Sequence, residues 1–334
     1  MLFRYSYEIA GLRTHVPEGR GLEFRFDAAK SIVISLARDY SDGQNPLDPS
    51  SAICVGEVIE EPTNAGITSD LNAGLAAPLD GTWSLLRDAA PSTVDFLDGI
   101  FGELQPLMRQ TVGIFRWREG LAEGPHDPCR NPRGSYSRDG RVWLGVPLAR
   151  SFEMLFGLPT WPGTPANEIC DEVVGLVSRG MEEPLGHQLF REAWDQRQTN
   201  PRSSLVIGVA AAEVGLKRLI GSLVPGAKWL VDEVQTPSFS MMIRKYLPTL
   251  PVKAHFKNKT ICPPNQLIKV LEKAVNYRNK LVHAGKAPPP CEDLEEMLRA
   301  VNDFLWICDA YEGHPWAGRQ ISVATLNAWR ETQS

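Results

Sequence analysis

Several signatures that would assign a chemistry on their own are missing from this sequence. The six cysteines are scattered without any C-x-x-C pair, which excludes a disulfide framework and indicates reduced thiols in a cytoplasmic setting. No H-E-x-x-H, G-x-S-x-G or glycine-rich phosphate loop occurs. His126 and Cys129 could supply two zinc ligands, but no second pair follows them. The sequence therefore predicts neither a metal site nor a cofactor.

The chain also lacks a long apolar run. Its most apolar stretch, Leu205–Leu216, contains Glu213 and is too short to span a bilayer. The start, Met1–Glu8, alternates apolar and polar residues instead of showing a basic region before an apolar run, so it does not resemble a signal peptide. We therefore expect no membrane partner and a cytoplasmic location.

Positive charge is scarce overall and is concentrated in one segment. The 334 residues carry a formal net charge of -5 at pH 7, which excludes a polycation that coats nucleic acid. Residues 251–286, however, hold eight lysine and arginine residues and a single acid, Glu272, giving a net charge of +7. A solvated helix face is the plain interpretation of such a segment. A contact with RNA would have to come from here.

The residue pattern changes near residue 162, and two domains are predicted there. Residues 1–162 are expected to form an α+β domain of unknown role, with a hairpin turn at Asp139-Gly140. One helix, capped by Ser92 or Thr93, should be bent or ended near Pro106. Its predicted apolar stripe is Val94, Leu97, Phe101, Leu104 and Met108. The predicted strands are Phe3–Leu12, Leu22–Phe26, Ser31–Tyr40 and Ile53–Glu61.

Residues 163–315 are predicted to form an all-α domain, and residues 316–334 a C-terminal tail. Start and stop signals delimit each helix: Thr164-Pro165, Pro184 and Asn200-Pro201 begin helices, and Gly180 and Gly285 end them. Two helices are predicted to start at Thr164 and at Pro184. Four more are predicted at Pro201–Leu223, Ser238–Leu247, Asn265–His283 and Glu292–Tyr311.

The chemical centre of the sequence is Arg278-Asn279-Lys280-Leu281-Val282-His283, at the end of a predicted helix. Arg278 offers a permanent charge with a planar fork of donors for phosphate oxygens, and His283 can carry protons near neutral pH. Arg278 continues the apolar stripe of the helix, so it needs an anionic partner, which could be a substrate phosphate or a subunit interface. Asn279 and His283 are four residues apart and share a neighbouring face.

Simpler interpretations compete with a catalytic one. A basic residue and a histidine in the last turn of a helix are favoured by the helix dipole alone, and this spacing also arises by chance. Glu213, an acid in an apolar helix, could polarise His283 or pair with Arg278, but its spacing from Lys217 favours a plain ion pair on its own helix. We treat His15, His187, His255 and His314 as surface or packing residues, because the sequence suggests no partner for them.

Arg278-Asn279-x3-His283, followed by Gly285 and a further helix, resembles the Arg-x4-6-His signature of the HEPN superfamily of prokaryotic RNases, toxins and defence proteins. Two further segments resemble bacterial HEPN-like domains: residues 210–217, around Glu213, and residues 237–248. The similarity covers about residues 185–315. It implies a helical bundle that forms a homodimer and cleaves RNA without a metal, with Arg278, Asn279 and His283 as motif residues. Some members of the superfamily are not catalytic, so the resemblance is also compatible with a non-catalytic role.

These expectations converge on a metal-independent endoribonuclease, with a role as a toxin or phage-defence effector implied only by the resemblance. The expected catalytic residues are Arg278, His283, Asn279 and, more weakly, Glu213. RNA is the expected substrate, and four lysines are expected to bind it, Lys217, Lys273, Lys280 and Lys286. The alternative is a non-catalytic module that binds RNA or protein and uses Arg278 to hold a dimer together.

Overall fold

The structure is a computed structural model. It describes residues 1–9, 21–36, 52–62, 64–76, 89–122, 127–141, 143–146, 168–227, 238–251 and 263–331. These residues form two compact units, one of residues 1–115 and 127–182, and one of residues 116–126 and 183–334. The boundary predicted near residue 162 and the start predicted at Thr164-Pro165 lie outside the described residues.

The first unit is built on one antiparallel sheet of six strands in the order β2-β3-β4-β1-β5-β6. The strands are β1 Leu2–Ile9, β2 Leu22–Arg25, β3 Lys30–Leu36, β4 Ala52–Ile59, β5 Cys129–Ser137 and β6 Leu144–Val146. The four strands predicted in residues 1–61 are confirmed; the predicted ends Leu12 and Tyr40 lie outside the described residues, and the other ends are shifted by at most two residues. The turn predicted at Gly140, which has φ 76°, joins β5 to β6.

Strand alternation sends successive side chains of each strand to opposite faces of the sheet. On the apolar face of β1, Phe3 meets Phe96 with ring centroids 5.6 Å apart, and Tyr5 meets Phe101 at 5.5 Å. On the other face, the buried Arg4 donates from Nε to Glu57 Oε1 at 2.8 Å. Phe96 and Phe101 belong to one helix, Pro91–Arg118, which therefore covers the apolar side of the sheet.

Two helices of this unit depart from the sequence predictions. Helix α1, Ala65–Ala76, was not predicted. Helix α2, the 28-residue segment Pro91–Arg118, continues through Pro106, so of the two outcomes predicted there, a bend or an end, the end is wrong; its last three residues belong to the second unit. A proline inside a helix costs about 3 kcal/mol, but buried residues on both sides of it offset this loss. Val94, predicted on the buried stripe, is exposed, and its neighbour Thr93 is buried and donates to Asp70. Helix α3, Glu168–Ser178, packs against β2 and is grouped with this unit.

The second unit is mostly helical. Its helices are α4 Leu185–Gln196, α5 Pro201–Leu223, α6 Asn265–Ala284, α7 Cys291–Glu312, α8 Ala317–Gln320 and α9 Val323–Glu331. Residues 239–249 form three short helical turns, Phe239–Met241, Met242–Tyr246 and Leu247–Thr249. The start of α5 is capped as predicted, because the Asn200 side chain accepts from the backbone N–H of Ser203. The predicted bounds of α6 and α7 are confirmed to within one residue.

Small residues in α5 permit close packing inside the chain. A Cβ on Gly208 would lie 2.5 Å from Leu298 Cδ2, and one on Gly215 would lie 2.4 Å from Leu305 Cδ2. Both leucines belong to α7, so these glycines bring α5 and α7 together. Small residues also suit a subunit interface, but Gly208, Ala211, Ala212 and Gly215 are buried within one copy of the unit.

Residues 316–331 were predicted to be a tail, but they belong to the packed helical unit. Trp316 and Ile321 are buried, and Asp303 of α7 accepts from the backbone N–H of Ser322 at 2.9 Å and from its hydroxyl at 2.5 Å. Ser322 Oγ in turn accepts from the backbone N–H of Thr325 at 3.3 Å, which caps the start of α9. In the described part of the chain, no helix combines the length and the apolar character needed to cross a bilayer.

Candidate functional site

Helix α6 places the motif residues at its C-terminal end. Its buried side consists of Leu267, Ile268, Leu271, Ala274 and Leu281. Gly285 follows with φ 60°, a left-handed conformation that ends the helix, and its N–H donates to the carbonyl of Lys280. The glycine stop predicted from the sequence is thus confirmed, and it sets His283 in the last helical turn.

Arg278 faces α5 and pairs there with Glu213. Its Nη2 donates to Glu213 Oε1, and the two side chains are 25% and 38% exposed. Of the partners considered for Glu213, it is Arg278 across the helix interface that bonds to it, and not Lys217 on the same helix. A pair at i,i+4 on an open helix surface is worth only about 0.2–0.5 kcal/mol, so little stability is lost when Glu213 bonds to Arg278 instead of Lys217.

The guanidinium of Arg278 is only partly satisfied. Its Nε is buried and makes no hydrogen bond to any residue in the described ranges. Since partly exposed ion pairs contribute about 0–1 kcal/mol, the bond to Glu213 is weak enough for another anion to replace it. The anionic partner that the sequence required for Arg278 is therefore present within the chain, and it is held loosely.

Asn279, Lys280, His283 and Lys286 are all exposed at this end of the molecule. The shared face predicted for Asn279 and His283 is therefore open to solvent. Arg278 is turned away from His283, because five residues of helix rotate a side chain by about 140° and advance it by about 7.5 Å. One copy of the chain thus brings His283 together with Asn279, but not with the inward-facing Arg278.

Besides Arg278, two charged residues of the cationic segment, Lys273 and Glu272, are already paired. Hydrogen bonds from Lys273 Nζ to Asp293 Oδ1 at 3.1 Å and to Glu296 Oε2 at 3.3 Å raise the pKa of this lysine. Arg244 donates to Glu272 through Nε at 2.8 Å and lowers the pKa of that carboxyl group. Lys273, which we expected to bind RNA, is thereby partly neutralised by α7.

The remaining expected RNA-binding lysines differ in exposure. Lys217 is partly exposed on α5, whereas Lys280 and Lys286 are fully open to solvent. Three further lysines of the cationic segment, Lys253, Lys257 and Lys259, lie outside the described residues. The exposed positive charge near His283 therefore comes from Lys280 and Lys286.

A second polar cluster, which the sequence analysis missed, surrounds Asp309 in α7. Its carboxylate accepts from Trp117 Nε1 and bonds to His187 Nε2, both at 2.7 Å, and accepts from Arg218 Nη1 at 3.0 Å. Arg218 also donates to Glu312 at 2.6 Å. Burial by itself would raise the pKa of Asp309, but His187, Arg218 and Trp117 together lower it. The cluster thus holds a charged carboxylate inside an apolar helix face.

His187 was predicted to be a surface or packing residue; it is a packing residue, and it has a partner that the sequence did not suggest, Asp309. It is buried on α4 between Asp309 and the ring of Trp306, whose centroid lies 4.4 Å from that of His187. The signal in the sequence was Asp309 itself, an acid within the apolar run Phe304–Tyr311. An acid at such a position needs a donor from a neighbouring helix.

A recess lies beside this cluster and has room for about one water molecule, about 10 Å³. Arg191, which pairs with Glu183, lines it together with His187 and Trp306. Its size excludes a nucleotide. Within the described residues no group of three or more His, Cys, Asp or Glu side chains could hold a metal ion, and His126 lies outside them.

Comparison with known proteins adds no relative. No protein-family model, no curated protein and no solved structure matches this chain.

Proposed function

We propose that the helical unit is a HEPN-like domain and that it cleaves RNA without a metal ion. The observation that carries this proposal is the exposure of His283 in the last turn of α6, beside Asn279 and the cations of Lys280 and Lys286. A titratable imidazole on a cationic, solvent-open helix end is well placed to meet a phosphodiester backbone. A role in toxin or phage-defence biology rests only on the motif resemblance, and the cytoplasmic setting rests on the cysteine pattern.

The chemistry requires few protein groups. RNA carries a 2'-hydroxyl beside each phosphate, so cleavage needs deprotonation of that hydroxyl, stabilisation of charge at phosphorus and protonation of the leaving 5'-oxygen. The 2'-oxygen attacks phosphorus, the bond to the 5'-oxygen breaks, and a 2',3'-cyclic phosphate and a 5'-hydroxyl result. His283 would move the proton, Arg278 would stabilise the charge, and Asn279 would orient the phosphate or the imidazole.

The placement of Arg278 and His283 supports a homodimer as the active unit. One copy offers a single motif histidine for two proton transfers, and its Arg278 is turned from His283. A two-fold axis near the end of α6 would bring a second Arg278 and His283 to the same phosphate. Mixing excess His283→Ala subunits with the unaltered protein should then depress cleavage beyond simple dilution. Strictly proportional loss would contradict a shared site.

Cleavage in the presence of a chelator tests the proposal. Purified protein should cut a labelled RNA in excess EDTA, and His283→Ala should remove this activity while leaving the melting temperature unchanged, because an exposed side chain has little packing to lose. Asn276→Ala, an exposed residue on the same helix, is the matched control and should retain activity. Cleavage that needs added magnesium would contradict the mechanism.

A second candidate function is a non-catalytic module that binds RNA or a protein. The ion pair between Arg278 and Glu213 favours it, because an arginine committed to a carboxylate in its own chain can serve to hold helices together. This function predicts RNA or protein binding without cleavage. It also predicts that Arg278→Ala lowers the melting temperature while His283→Ala changes neither stability nor binding by more than a small factor.

A further inference from the structure

The Arg278–Glu213 pair has a consequence for binding of phosphate. A guanidinium binds phosphate most strongly through two neighbouring N–H donors at once. The two faces of the fork that allow this, Nε with Nη2 and Nη1 with Nη2, both use Nη2. That nitrogen already donates to Glu213 Oε1. Nη2 carries two hydrogens, so the bond to Glu213 takes one of them, and the burial of Nε leaves the Nη1–Nη2 face for a phosphate. A phosphate on that face would lie beside the Glu213 carboxylate.

The charge of Glu213 acts in the same direction. An incoming phosphodiester carries one negative charge and would lie beside a carboxylate that is itself 38% exposed and not neutralised by any other described residue. Like charges brought together at a partly buried site oppose binding. Because the ion pair is also partly open to solvent, its own stability is small, and Glu213 can move aside.

The geometry points to Glu213 as an internal competitor for the anion site of Arg278. The carboxylate occupies the guanidinium in the free protein and is displaced when an RNA phosphate binds, so it lowers RNA affinity and holds the site closed to weaker anions. This inference deepens the proposed function, on which it rests for the choice of RNA as ligand. It differs from the view of Glu213 as a group that assists His283.

The test is the affinity for an RNA oligonucleotide with 2'-O-methyl groups, which cannot be cut by the 2'-hydroxyl route. Glu213→Gln keeps the shape and an oxygen acceptor but removes the charge, so the dissociation constant should fall by about threefold to tenfold. In an Arg278→Ala background the same substitution should have little effect. Glu295→Gln is the matched control, because Glu295 is also a half-buried glutamate paired with an arginine, Arg197.

The outcomes separate this inference from the proposed function. Tighter binding by Glu213→Gln that depends on Arg278 supports the inference, even if the unaltered protein cuts no RNA. Unchanged or weaker binding by a Glu213→Gln protein with unaltered melting temperature overturns it, even if cleavage in chelator is observed. Equal tightening by Glu295→Gln also overturns it, because the effect would then be one of net charge. Absence of binding by every variant overturns it as well.

Discussion

Replacing Asp309 with alanine should destabilise the helical unit by about 3–5 kcal/mol, the usual cost of removing one member of a buried charged network. The carboxylate of Asp309 is 1% exposed and lies within hydrogen-bonding distance of Trp117, His187 and Arg218. Because an ionised carboxylate only accepts, the Nε2 of His187 carries the hydrogen in this bond. The variant would leave buried donors without an acceptor.

The magnitude follows from which donors lose their partner. Arg218 keeps its bond to Glu312 at 2.6 Å, so its charge stays paired in the variant. The buried N–H groups of Trp117 and His187 lose their shared acceptor, and each unmet buried donor costs about 1–3 kcal/mol. Asp309→Asn should be milder, since the amide oxygen still accepts from one of them.

Urea denaturation followed by far-UV circular dichroism measures this difference. The matched control is Asp293→Ala, which removes a 37% exposed carboxylate from the same helix and should cost no more than about 0.5 kcal/mol. If Asp309→Ala unfolds within about 1 kcal/mol of the unaltered protein, or no earlier than Asp293→Ala, the buried network does not stabilise the fold as argued.

Three further predictions follow from packing, titration and charge. Gly215→Ala should destabilise the protein by about 1–3 kcal/mol, because the added Cβ would meet a side-chain carbon at 2.4 Å. Gly221→Ala in the same helix, where a Cβ would meet no atom within 4 Å, should stabilise the protein by about 0.5–1 kcal/mol. Thermal melts that show the reverse order would refute the close packing. Because its pKa is lowered in the folded state, Asp309 stabilises the fold above its unfolded pKa and loses this effect as pH falls. The stability gap to Asp309→Asn should thus hold from pH 7 to about pH 4 and shrink at lower pH, and a gap that widens in acid would contradict this. Lys280→Ala should weaken RNA binding more than Lys273→Ala, whose ammonium is already bonded to two carboxylates, and equal losses would count against this assignment.

Local signals in the sequence predicted the elements whose ends are set by a few residues. Gly285 marks the end of α6 because only a residue tolerant of positive φ suits that position, and Asn200-Pro201 marks the start of α5 because its side chain caps the first turn. Such signals act over one helical turn, so they can be read without knowing the tertiary fold.

Signals that depend on packing were misinterpreted. Pro106 does not end α2, since its cost is offset by burial of Leu104 and Met108 against the sheet. The small residues of α5, including Gly208, suited a subunit interface as well as a contact with α7. The sequence alone does not say what packs against such a surface. The close approach of Leu298 to Gly208 shows that it packs against α7.

The candidate site was predictable in part. The helical end that carries Asn279 and His283 follows from periodicity and from the stop at Gly285. The partner of Glu213 could not be predicted, because Lys217 is close to it in sequence, whereas Arg278 is close to it only in space. For the same reason, His187 and Asp309, which are 122 positions apart, could not be joined from spacing.

Analysis of the RNA ends produced in excess chelator tests the central claim most directly. The account predicts fragments with 2',3'-cyclic phosphate and 5'-hydroxyl ends, identified by their mass, from the unaltered protein, and none from His283→Ala at equal concentration and equal melting temperature. Fragments with 5'-phosphate ends, or the same fragments at the same rate from His283→Ala, would contradict the assignment of His283 as the group that moves the proton.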